Sequence, residues 1–429
     1  MKKKIDLNNL ISGKNIRKLI DKLYPICRSI TGKGFKDSLE ILKENMDIKL
    51  FKFRTGTKVL DWIIPKEWNI KDAYIIDPSG KKIVDFKKNN LHIVNYSMPI
   101  NKRISLEELK KKIFTLPKLP NAIPYIASYY KKDWGFCIEY KKYKNLKKGN
   151  YKVFIDSTLK NGELVYSDTK IPGKSKKEIL LSTYLCHPQM ANHELGGPIV
   201  LSMLYKILKA TGPHKYTYRF LICPENIGSA AFLHKNKKKL KNIIAGYVIN
   251  CVGHGSEITY KKSRISDSLS DKAALNVIKN SGKKFIIEDF YPWGSDEKQF
   301  CSPGFNLPIG LIMRTRFDKF KEYHTSLDNK NFISIKTLID SIKIYYQVLK
   351  TIEIDFKPLG KIQYGTPQLS RSKVPLYRTT MNWKIKKIDS RIKNILQILN
   401  LADGKKSLID IANKKKIKLI NQENLIDDL

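Results

Sequence analysis

The first fifty residues carry apolar side chains at helical spacing. The segments IRKLIDKLYPICRSI (16–30) and FKDSLEILKENM (35–46) both repeat apolar positions about every 3.6 residues, and the turn TGKG separates them. From residue 51 to 130 the pattern changes to short β-like runs with polar breaks: KVLDWIIP, DAYIIDP, KKIVDF and LHIVNYS. We therefore predict two helices in residues 1–50, followed by a small β-rich domain in residues 51–130.

Apolar strands alternate with helical segments between residues 131 and 357. The predicted strands are EILLSTYLC (178–186), RFLICP (219–224), IIAGYVINCV (243–252) and LPIGLIM (307–313), and predicted helices lie at 194–210, 229–242 and 270–279. This order predicts an α/β fold in which helices cover a mixed, mostly parallel sheet. After Pro358, a linker leads to three short amphipathic segments, RIKNILQILN, SLIDIANKKK and NQENLIDDL, which indicate a small C-terminal domain in residues 358–429.

Composition narrows the class of protein. The chain has 429 residues, and none of its apolar runs approaches the ~20 residues of a membrane span. Its N-terminus, MKKKIDLNNLISGKN, lacks the apolar core of a secretory signal, so a cytoplasmic location is predicted. The six cysteines have no CxxC spacing, which indicates small buried hydrophobic residues and argues against a disulfide framework or a cysteine zinc cluster.

The net charge of +41 raises the question of nucleic-acid binding. Only 11 of the 81 basic residues are Arg, and the excess of Lys is spread along the whole chain together with Ile and Asn. A surface dedicated to phosphate binding is more often local and rich in Arg. We therefore interpret the charge as compositional and keep nucleic-acid binding as an alternative.

Polar side chains suited to metal binding or catalysis follow the ends of the predicted strands. His187 follows the strand 178–186, Glu225 follows 219–224, and Asn250 lies near the end of 243–252. His324 comes after the strand 307–313, in the segment YHTSLDN. Ligands of open α/β sheets bind at the carboxyl ends of the strands, so this pattern predicts a site at that edge.

A zinc site is the chemistry that these residues favour. Neutral imidazoles and a carboxylate are zinc ligands, and three protein ligands with one open position are typical of catalytic zinc. We predict His187, Glu194 and His324 as the ligands, with Glu225 free to accept a proton. His193 is interpreted as a solvated neighbour, because adjacent side chains such as His193 and Glu194 point in different directions. The alternative interpretations are a capped histidine at a strand end and a helix N-terminal charge at Glu194.

Other catalytic classes find little support. The sequence contains no HExxH, GxSxG, P-loop or GxGxxG motif. A nucleophilic Cys186 paired with His187 is disfavoured, because neighbours on a strand face opposite sides of the sheet.

The chain resembles a bacterial and archaeal family of zinc aminopeptidase-like proteins, sometimes labelled polysaccharide biosynthesis proteins. The resemblance extends along nearly the whole chain and rests on these motifs: LYPICRSITGKG (23–34), TGTKVLDWIIPKEWNIKDAYI (55–75), NLHIVNYSMP (90–99), LLSTYLCHPQMANHELGGP (180–198), CPENIGS (223–229) and YHTSLDN (323–329). It implies an aminopeptidase-type α/β domain, an inserted protease-associated-like β domain and a C-terminal winged helix.

The α/β part is more distantly similar to the two-zinc aminopeptidases. This resemblance places their first histidine on His187, their general base on Glu225 and their last histidine on His324. It places the bridging aspartate on Asn192, and it implies two further changes from carboxylate to amide, which fall on Asn226 and Asn250. Two adjacent dications need several carboxylates to offset their repulsion. The resemblance therefore implies one zinc per chain, with Glu194 supplying the carboxylate.

The leading hypothesis is a mononuclear zinc-dependent amide hydrolase that acts on a peptide or on a small N-acyl or aminoacyl substrate, in surface polysaccharide biosynthesis. Asp296, in the segment PWGSDEKQF, is predicted to anchor a substrate amine, and Asn192 and Asn250 are predicted to contact the substrate. The first alternative is a regulator that uses the winged helix beside a vestigial peptidase domain, with a protein partner favoured over DNA. The second is a metal-free binding scaffold.

Overall fold

The computed structural model describes residues 10–366, 368 and 390–422. Its strands are β1 (Leu50–Arg54), β2 (Lys58–Val59), β3 (Trp62–Ile63), β4 (Glu67–Ile76), β5 (Lys82–Asp85), β6 (Ile100–Ser105), β7 (Ile113–Phe114), β8 (Phe136–Cys137), β9 (Asn150–Lys160), β10 (Glu163–Ile171), β11 (Ser175–Tyr184), β12 (Tyr216–Cys223), β13 (Ile243–Ile249), β14 (Ile258–Lys261), β15 (Phe285–Glu288) and β16 (Ile309–Met313).

The described helices are α1 (Gly13–Leu23), α2 (Lys33–Leu42), α3 (Leu106–Lys110), α4 (Tyr140–Lys144), α5 (Gly196–Thr211), α6 (Ile227–Asn236), α7 (Leu269–Lys279), α8 (Glu297–Phe300), α9 (Ile335–Glu353), α10 (Ser390–Asn400) and α11 (Leu408–Lys415). A π-helical turn, Ala191–Leu195, directly precedes α5. Short 3-10 helices lie at Asn90–His92, Lys237–Asn242, Phe317–Lys319 and Leu419–Gln422. None of the helices in these described parts is long and apolar enough to cross a membrane.

The main sheet has eight strands in the order β1-β10-β12-β11-β13-β16-β14-β15. Its central strands β12, β11, β13 and β16 are parallel, while β10 and β14 join this group through antiparallel pairing. Every residue of β16 and the last seven of β11 are buried, as expected for parallel strands covered on both faces. The predicted mixed, mostly parallel α/β sheet is confirmed.

The parallel core brings distant parts of the sequence to one edge. The carboxyl ends of β11, β12, β13 and β16 share an edge because the strands run in one direction. The segments that follow these four strands carry His187, Glu225, Asn250 and His324, respectively. The topology therefore concentrates the predicted site residues at this edge.

A second, antiparallel sheet of four strands has the order β5-β4-β9-β6. Its central strand β9 lies at residues 150–160, beyond the predicted boundary at residue 130, and it pairs with β4 from Glu67↔Lys160 to Ile76↔Lys152. Conversely, β1 belongs to the main sheet. The small sheet therefore does not follow the predicted range 51–130, because its central strand returns from a later part of the chain. Its identity as a protease-associated-like domain stays a prediction.

Local chemistry explains where the helices near the site begin and end. Helix α1 buries Ile16, Leu19, Ile20 and Leu23 on one face. It ends earlier than the predicted residue 30. Tyr24 still has helical backbone angles, but Pro25 has no N–H to donate to the Asp21 carbonyl oxygen, and its ring would clash with that oxygen in a continued helix. At the start of α5, a Cβ on Gly197 would lie 2.2 Å from Thr183 Oγ1 and 2.3 Å from the Ile249 carbonyl oxygen, so glycine permits the close approach of α5 to β11 and β13.

The chain forms two compact units: the described parts of Met1–Ser266 with Lys284–Lys343, and of Asp267–Lys283 with Ile344–Leu429. In the second unit, α7 packs against α11: Lys272 Nζ lies 2.9 Å from Asp410 Oδ1, and Asn276 Nδ2 donates to Asn413 Oδ1 at 3.0 Å. The predicted tail helices 391–400 and 407–416 correspond to α10 and α11. The third, 421–429, lies outside the described residues except for 421 and 422.

Candidate metal centre

Three histidine rings converge at the carboxyl edge of the main sheet. His187 follows β11, His193 lies in the π-helical turn, and His324 lies in the loop after β16. One ligand nitrogen from each ring falls within 4.8 Å of the others, and the Nε2 atoms of His193 and His324 are 3.1 Å apart. His187 and His193 are buried and His324 is half-buried. Converging imidazole nitrogens of this kind are a ligand set for zinc.

Glu194 holds His187 in place through both carboxylate oxygens. Its Oε2 accepts a hydrogen bond from His187 Nδ1 at 2.7 Å, and its Oε1 accepts one from the His187 backbone N–H at 2.8 Å. The buried Arg28 donates to the His187 carbonyl oxygen at 2.9 Å and lies 3.8 Å from Glu194 Oε1. A carboxylate on Nδ1 fixes the ring orientation and leaves Nε2 for a metal. This geometry differs from the predicted ligand role of Glu194, because both of its oxygens are already bound to His187.

His193 belongs to the cluster, and the expectation of a solvated neighbour is wrong. Its side chain is only 2 % exposed. The wide turn Ala191–Leu195 directs the ring inward, and the Asp328 carboxylate accepts the N–H groups of Asn192 at 2.7 Å and His193 at 2.8 Å. The Tyr184 hydroxyl lies 2.9 Å from His193 Nδ1 and so occupies the nitrogen that faces away from His324. Single π-helical turns are frequent at functional sites.

Glu225 lies beside the histidine cluster on a strained turn. Its Oε2 is 3.8 Å from His187 Nε2. The next residue, Asn226, has φ 62° and ψ −65°, and the Ile227 N–H donates to the Glu225 carbonyl oxygen at 2.8 Å. These values define a γ-turn of the rare, strained kind, and such strain clusters at functional sites. The turn directs the Glu225 carboxylate towards the cluster.

The Asp296 carboxylate stabilises the turn that carries Glu225. Its Oδ1 accepts hydrogen bonds from the Asn226 N–H and from Ser229 Oγ, both at 2.7 Å. Burial, together with the charge of Glu225, raises the pKa of Asp296 to about 7. The side chain has 0 % exposure, so this geometry does not support the predicted role of Asp296 as an anchor for a substrate amine.

The two asparagines predicted to contact substrate are buried. Asn192 Oδ1 accepts from the Gly253 N–H at 2.8 Å, so this amide faces Gly253 and its neighbour His193 faces the cluster. His193 therefore presents a ligand atom to the cluster, and the Asn192 side-chain oxygen does not. Asn192 Nδ2 and Asn250 Oδ1 have no hydrogen-bond partner among the described residues. Their contact with substrate stays a prediction.

Protonation of the cluster follows from burial and from neighbouring charges. Burial lowers the pKa of His193 well below its usual value, and the neighbouring rings of His324 and His187 add to this effect. Burial lowers the pKa of His324 to about 3. For His187, burial also opposes the charged form, but Cys186 and Glu194 raise the pKa above its usual value. His193 and His324 are therefore neutral near pH 7, which is the form that coordinates metals.

Burial raises the pKa of Glu225, and the charge of His187 opposes that shift. A carboxylate with a raised pKa is a stronger base than an exposed one, which suits a proton acceptor near neutral pH.

An aromatic wall leads from the cluster to the surface. Tyr323 stacks on His324 with ring centroids 4.0 Å apart, and Phe317 lies 5.7 Å from Tyr323. Trp293 lies 5.3 Å from Phe317 and is 61 % exposed. Tyr125 contacts the rings of both His187 and His324 edge-on, at 5.1 and 5.3 Å.

Sequence reasoning missed Arg28, Tyr125 and Tyr184 as well as His193. Arg28 and Tyr125 lie far from the cluster in the sequence and do not follow a strand of the main sheet, so a search of the strand ends could not identify them. Tyr184 is the last residue of β11, so the same search could have included it. The remaining histidines form hydrogen bonds with backbone groups outside the cluster, and none of them follows a strand end next to other ligand-type residues in the sequence. They are His92, His214, His234 and His254.

Comparison with known proteins gives matches over both parts of the chain. Residues 17–355 match the model of a domain of unknown function, DUF4910, and residues 358–429 match a winged helix-turn-helix model. A Clostridium acetobutylicum protein, named for polysaccharide biosynthesis and an aminopeptidase-like domain, is 42 % identical over 417 residues, which cover 95 % of this chain and 92 % of that protein.

Solved structures agree in fold. A Clostridium acetobutylicum protein designated a peptidase has a TM-score of 0.91 and 40 % identity, over 98 % of this chain and 96 % of its own. The zinc aminopeptidase BSAP from Bacillus subtilis has a TM-score of 0.57 and 14 % identity, over 82 % of this chain and 95 % of its own. The latter likeness establishes the aminopeptidase-like fold alone.

Proposed function

The chain belongs to the DUF4910 family, and we propose that it is a zinc-dependent amide hydrolase with an aminopeptidase-like fold. His187, His193 and His324 would hold the metal, and Glu225 would act as the general base. The observation that carries this proposal is the convergence of three histidine nitrogens with the Glu225 carboxylate 3.8 Å from His187 Nε2.

The donor set fits zinc. Three imidazoles with an open position form a known catalytic arrangement, and Glu194 supplies the carboxylate that orients His187. The Asp328 carboxylate accepts hydrogen bonds from backbone N–H groups, and the Asp296 carboxylate accepts one from the Asn226 N–H. With these carboxylates engaged, little negative charge is left to offset a second dication, so the proposal is one zinc per chain.

The chain's own residues supply the proton transfers. Zinc in such a site supplies Lewis acidity, which polarises a substrate carbonyl group. Glu225 would accept the proton of the attacking water as the oxygen bonds to the carbonyl carbon. It would then return that proton to the leaving nitrogen as the carbon–nitrogen bond breaks. The strained turn at Asn226, held by Asp296, keeps the carboxylate in position for both transfers.

The proposed substrate is a peptide or a small N-acyl or aminoacyl compound. The aromatic wall of Trp293, Phe317 and Tyr323 favours a substrate with an apolar or ring-shaped group next to the amide. Because a relative's name refers to polysaccharide biosynthesis, amides of surface-polysaccharide precursors are the first compounds to test. A cytoplasmic location stays a prediction.

The test combines metal analysis with a panel of amide substrates. We expect zinc-loaded protein to hydrolyse at least one aminoacyl or N-acyl compound, and His187→Ala, His193→Ala and His324→Ala to lose both zinc and activity. The control His234→Ala changes an exposed histidine outside the cluster and should keep both. Full zinc content in all three cluster variants would contradict the proposed ligands.

A second candidate function is favoured by the winged helix-turn-helix match over residues 358–429. In this alternative the chain is a regulator whose winged helix contacts a protein or DNA. Binding of the full-length chain to duplex DNA, measured over a range of salt concentrations, separates the two partners. Sequence-specific binding at physiological salt would support a DNA-binding role, and purely salt-dependent, sequence-independent binding would reflect the net charge alone.

A further inference from the structure

Strand β15 forms one end of the main sheet. It pairs in parallel with β14 and with no other described strand. The carbonyl oxygens of Lys284 and Glu288 accept hydrogen bonds from backbone N–H groups at the two ends of β14, at 3.0 and 2.9 Å. Because backbone groups alternate in direction along a strand, Phe285 and Ile287 direct their N–H and C=O groups away from β14. The outer side of β15 is therefore a template for pairing with another strand.

This open edge carries large apolar side chains. Phe285 is 40 % exposed and Ile286 is 42 % exposed, and the two point to opposite faces of the sheet because they are neighbours on a strand. Natural edge strands are commonly protected by charged residues or by proline, which keep other chains away. The three residues Phe285–Ile287 are all apolar, so the centre of this edge has no such protection.

The two ends of the edge have opposite charge. The segment KKFIIED (283–289) begins with two lysines and ends with two carboxylates, although the whole chain has 81 basic and only 40 acidic residues. Most exposed segments of so basic a chain would repel a second copy of it, whereas this segment is electrically balanced. Lys284 is exposed at the positive end.

The carboxylate end keeps a net negative charge after its local ion pairs are counted. Glu288 Oε1 lies 2.6 Å from Arg316 Nη1, and Arg316 also pairs with Asp318, so two carboxylates share one guanidinium. Asp289 is exposed and lies 2.8 Å from Lys262 Nζ, which balances its charge. An ammonium group that approaches Glu288 from outside the chain is therefore attracted to it.

An antiparallel second copy would place these complementary groups opposite one another. With Ile286 opposite Ile286 of the second copy, Lys284 lies opposite Glu288, and Phe285 lies opposite Ile287. Oppositely charged pairs and pairs of an aromatic with a β-branched residue both stabilise antiparallel strands. The backbone fits the same register, because the outward N–H and C=O groups of Phe285 and Ile287 then meet as hydrogen-bonded pairs.

We propose that β15 is the contact surface of a homodimer, in which two chains join their main sheets by antiparallel pairing of this strand about a twofold axis. Both copies use the same surface, so the assembly closes at two chains. The contact is short, so the dimer is weak and dissociates at low concentration. This proposal goes beyond the hydrolase function and does not depend on it.

Sedimentation equilibrium of the full-length chain, from low to high micromolar concentration, measures the association. We expect the average mass to rise towards that of two chains. Ile286→Lys places two ammonium groups at the twofold axis and should abolish this rise, whereas Ile63→Lys, at an exposed isoleucine on β3, should not. Lys284→Glu should weaken the dimer roughly tenfold, because it opposes Glu288 of the second copy. The exposed control Lys102→Glu makes the same change in net charge and should not weaken it.

Cysteine cross-linking tests the register. Opposite residues of a pair without backbone hydrogen bonds have Cα atoms about 4.5 Å apart, a distance that a disulfide can span. Ile286→Cys should therefore give a cross-linked dimer under mild oxidation. Phe285→Cys should not, because its counterpart lies two residues away along the second strand, at more than ~7 Å. The unmodified chain controls for its own six cysteines, five of which are buried.

Three outcomes would overturn the proposal. A chain that stays monomeric at the highest concentration would leave this edge to a strand of another protein. A dimer that survives both Ile286→Lys and Lys284→Glu would use a different surface. Failure of Ile286→Cys to cross-link, or preferential cross-linking of Phe285→Cys, would refute the register.

Discussion

Replacing Glu194 with Gln tests whether this carboxylate orients His187 or binds the metal itself. Its two oxygens accept from His187 Nδ1 at 2.7 Å and from the His187 N–H at 2.8 Å. Gln has one acceptor oxygen and an amide that cannot accept, so it keeps only one of these bonds. Loss of a carboxylate behind a metal-binding histidine costs about 10–100-fold in metal affinity, or ~1.4–2.7 kcal/mol.

The same change affects the stability of the metal-free protein. Arg28 is fully buried and lies 3.8 Å from Glu194 Oε1. Burial lowers the pKa of Arg28, and the charge of Glu194 opposes that shift. Removing one partner of a buried ion pair destabilises a protein by about 3–5 kcal/mol, because the remaining charge is uncompensated. Chemical denaturation of the chelator-treated variant should therefore show a lower free energy of unfolding than the unmodified chain.

Zinc affinity is measured by competition with a chromophoric chelator, alongside His193→Ala. A whole four-ligand zinc site is worth about 10–16 kcal/mol, so loss of one ligand should weaken binding by roughly 10²–10³-fold. We therefore expect His193→Ala to lose more affinity than Glu194→Gln, while the exposed control His234→Ala loses none. If Glu194→Gln releases the metal and His193→Ala retains it, the assignment of Glu194 as a positioning residue is refuted.

Three further predictions follow from the site and the core. Glu225→Gln should keep its zinc and its melting temperature while turnover falls roughly 10²–10⁴-fold, and full activity in this variant would exclude Glu225 as the base. Elemental analysis after zinc reconstitution should give one zinc per chain, whereas a two-to-one ratio would contradict the carboxylate argument. Arg219→Met leaves the buried Asp168 and Glu178 without their guanidinium at 2.5–3.0 Å, so urea denaturation should show a loss of about 3–5 kcal/mol, in contrast to the exposed control Lys177→Met.

The sequence determined the class of fold and part of the site. Alternating apolar strands and helices predict a parallel sheet, and parallel strands end at one edge. His187, Glu225 and His324 could therefore be grouped without coordinates, since each follows a strand of that sheet. Helix α1 was also predictable from the spacing of its apolar residues, although Pro25 ends it at Leu23 and not at the predicted residue 30.

The separate roles of His193 and Glu194 depend on the tertiary structure and could not be predicted from the sequence. In a regular element, the side chains of neighbours such as His193 and Glu194 point in different directions. Here the π-helical turn, which is held by Asp328, places the His193 ring in the cluster and the Glu194 carboxylate against His187. Backbone geometry of this kind depends on a partner 135 residues away, which no local pattern contains. The pairing of β9 with β4 could not be predicted for the same reason, because strand register is fixed by side chains that meet only after the chain has folded.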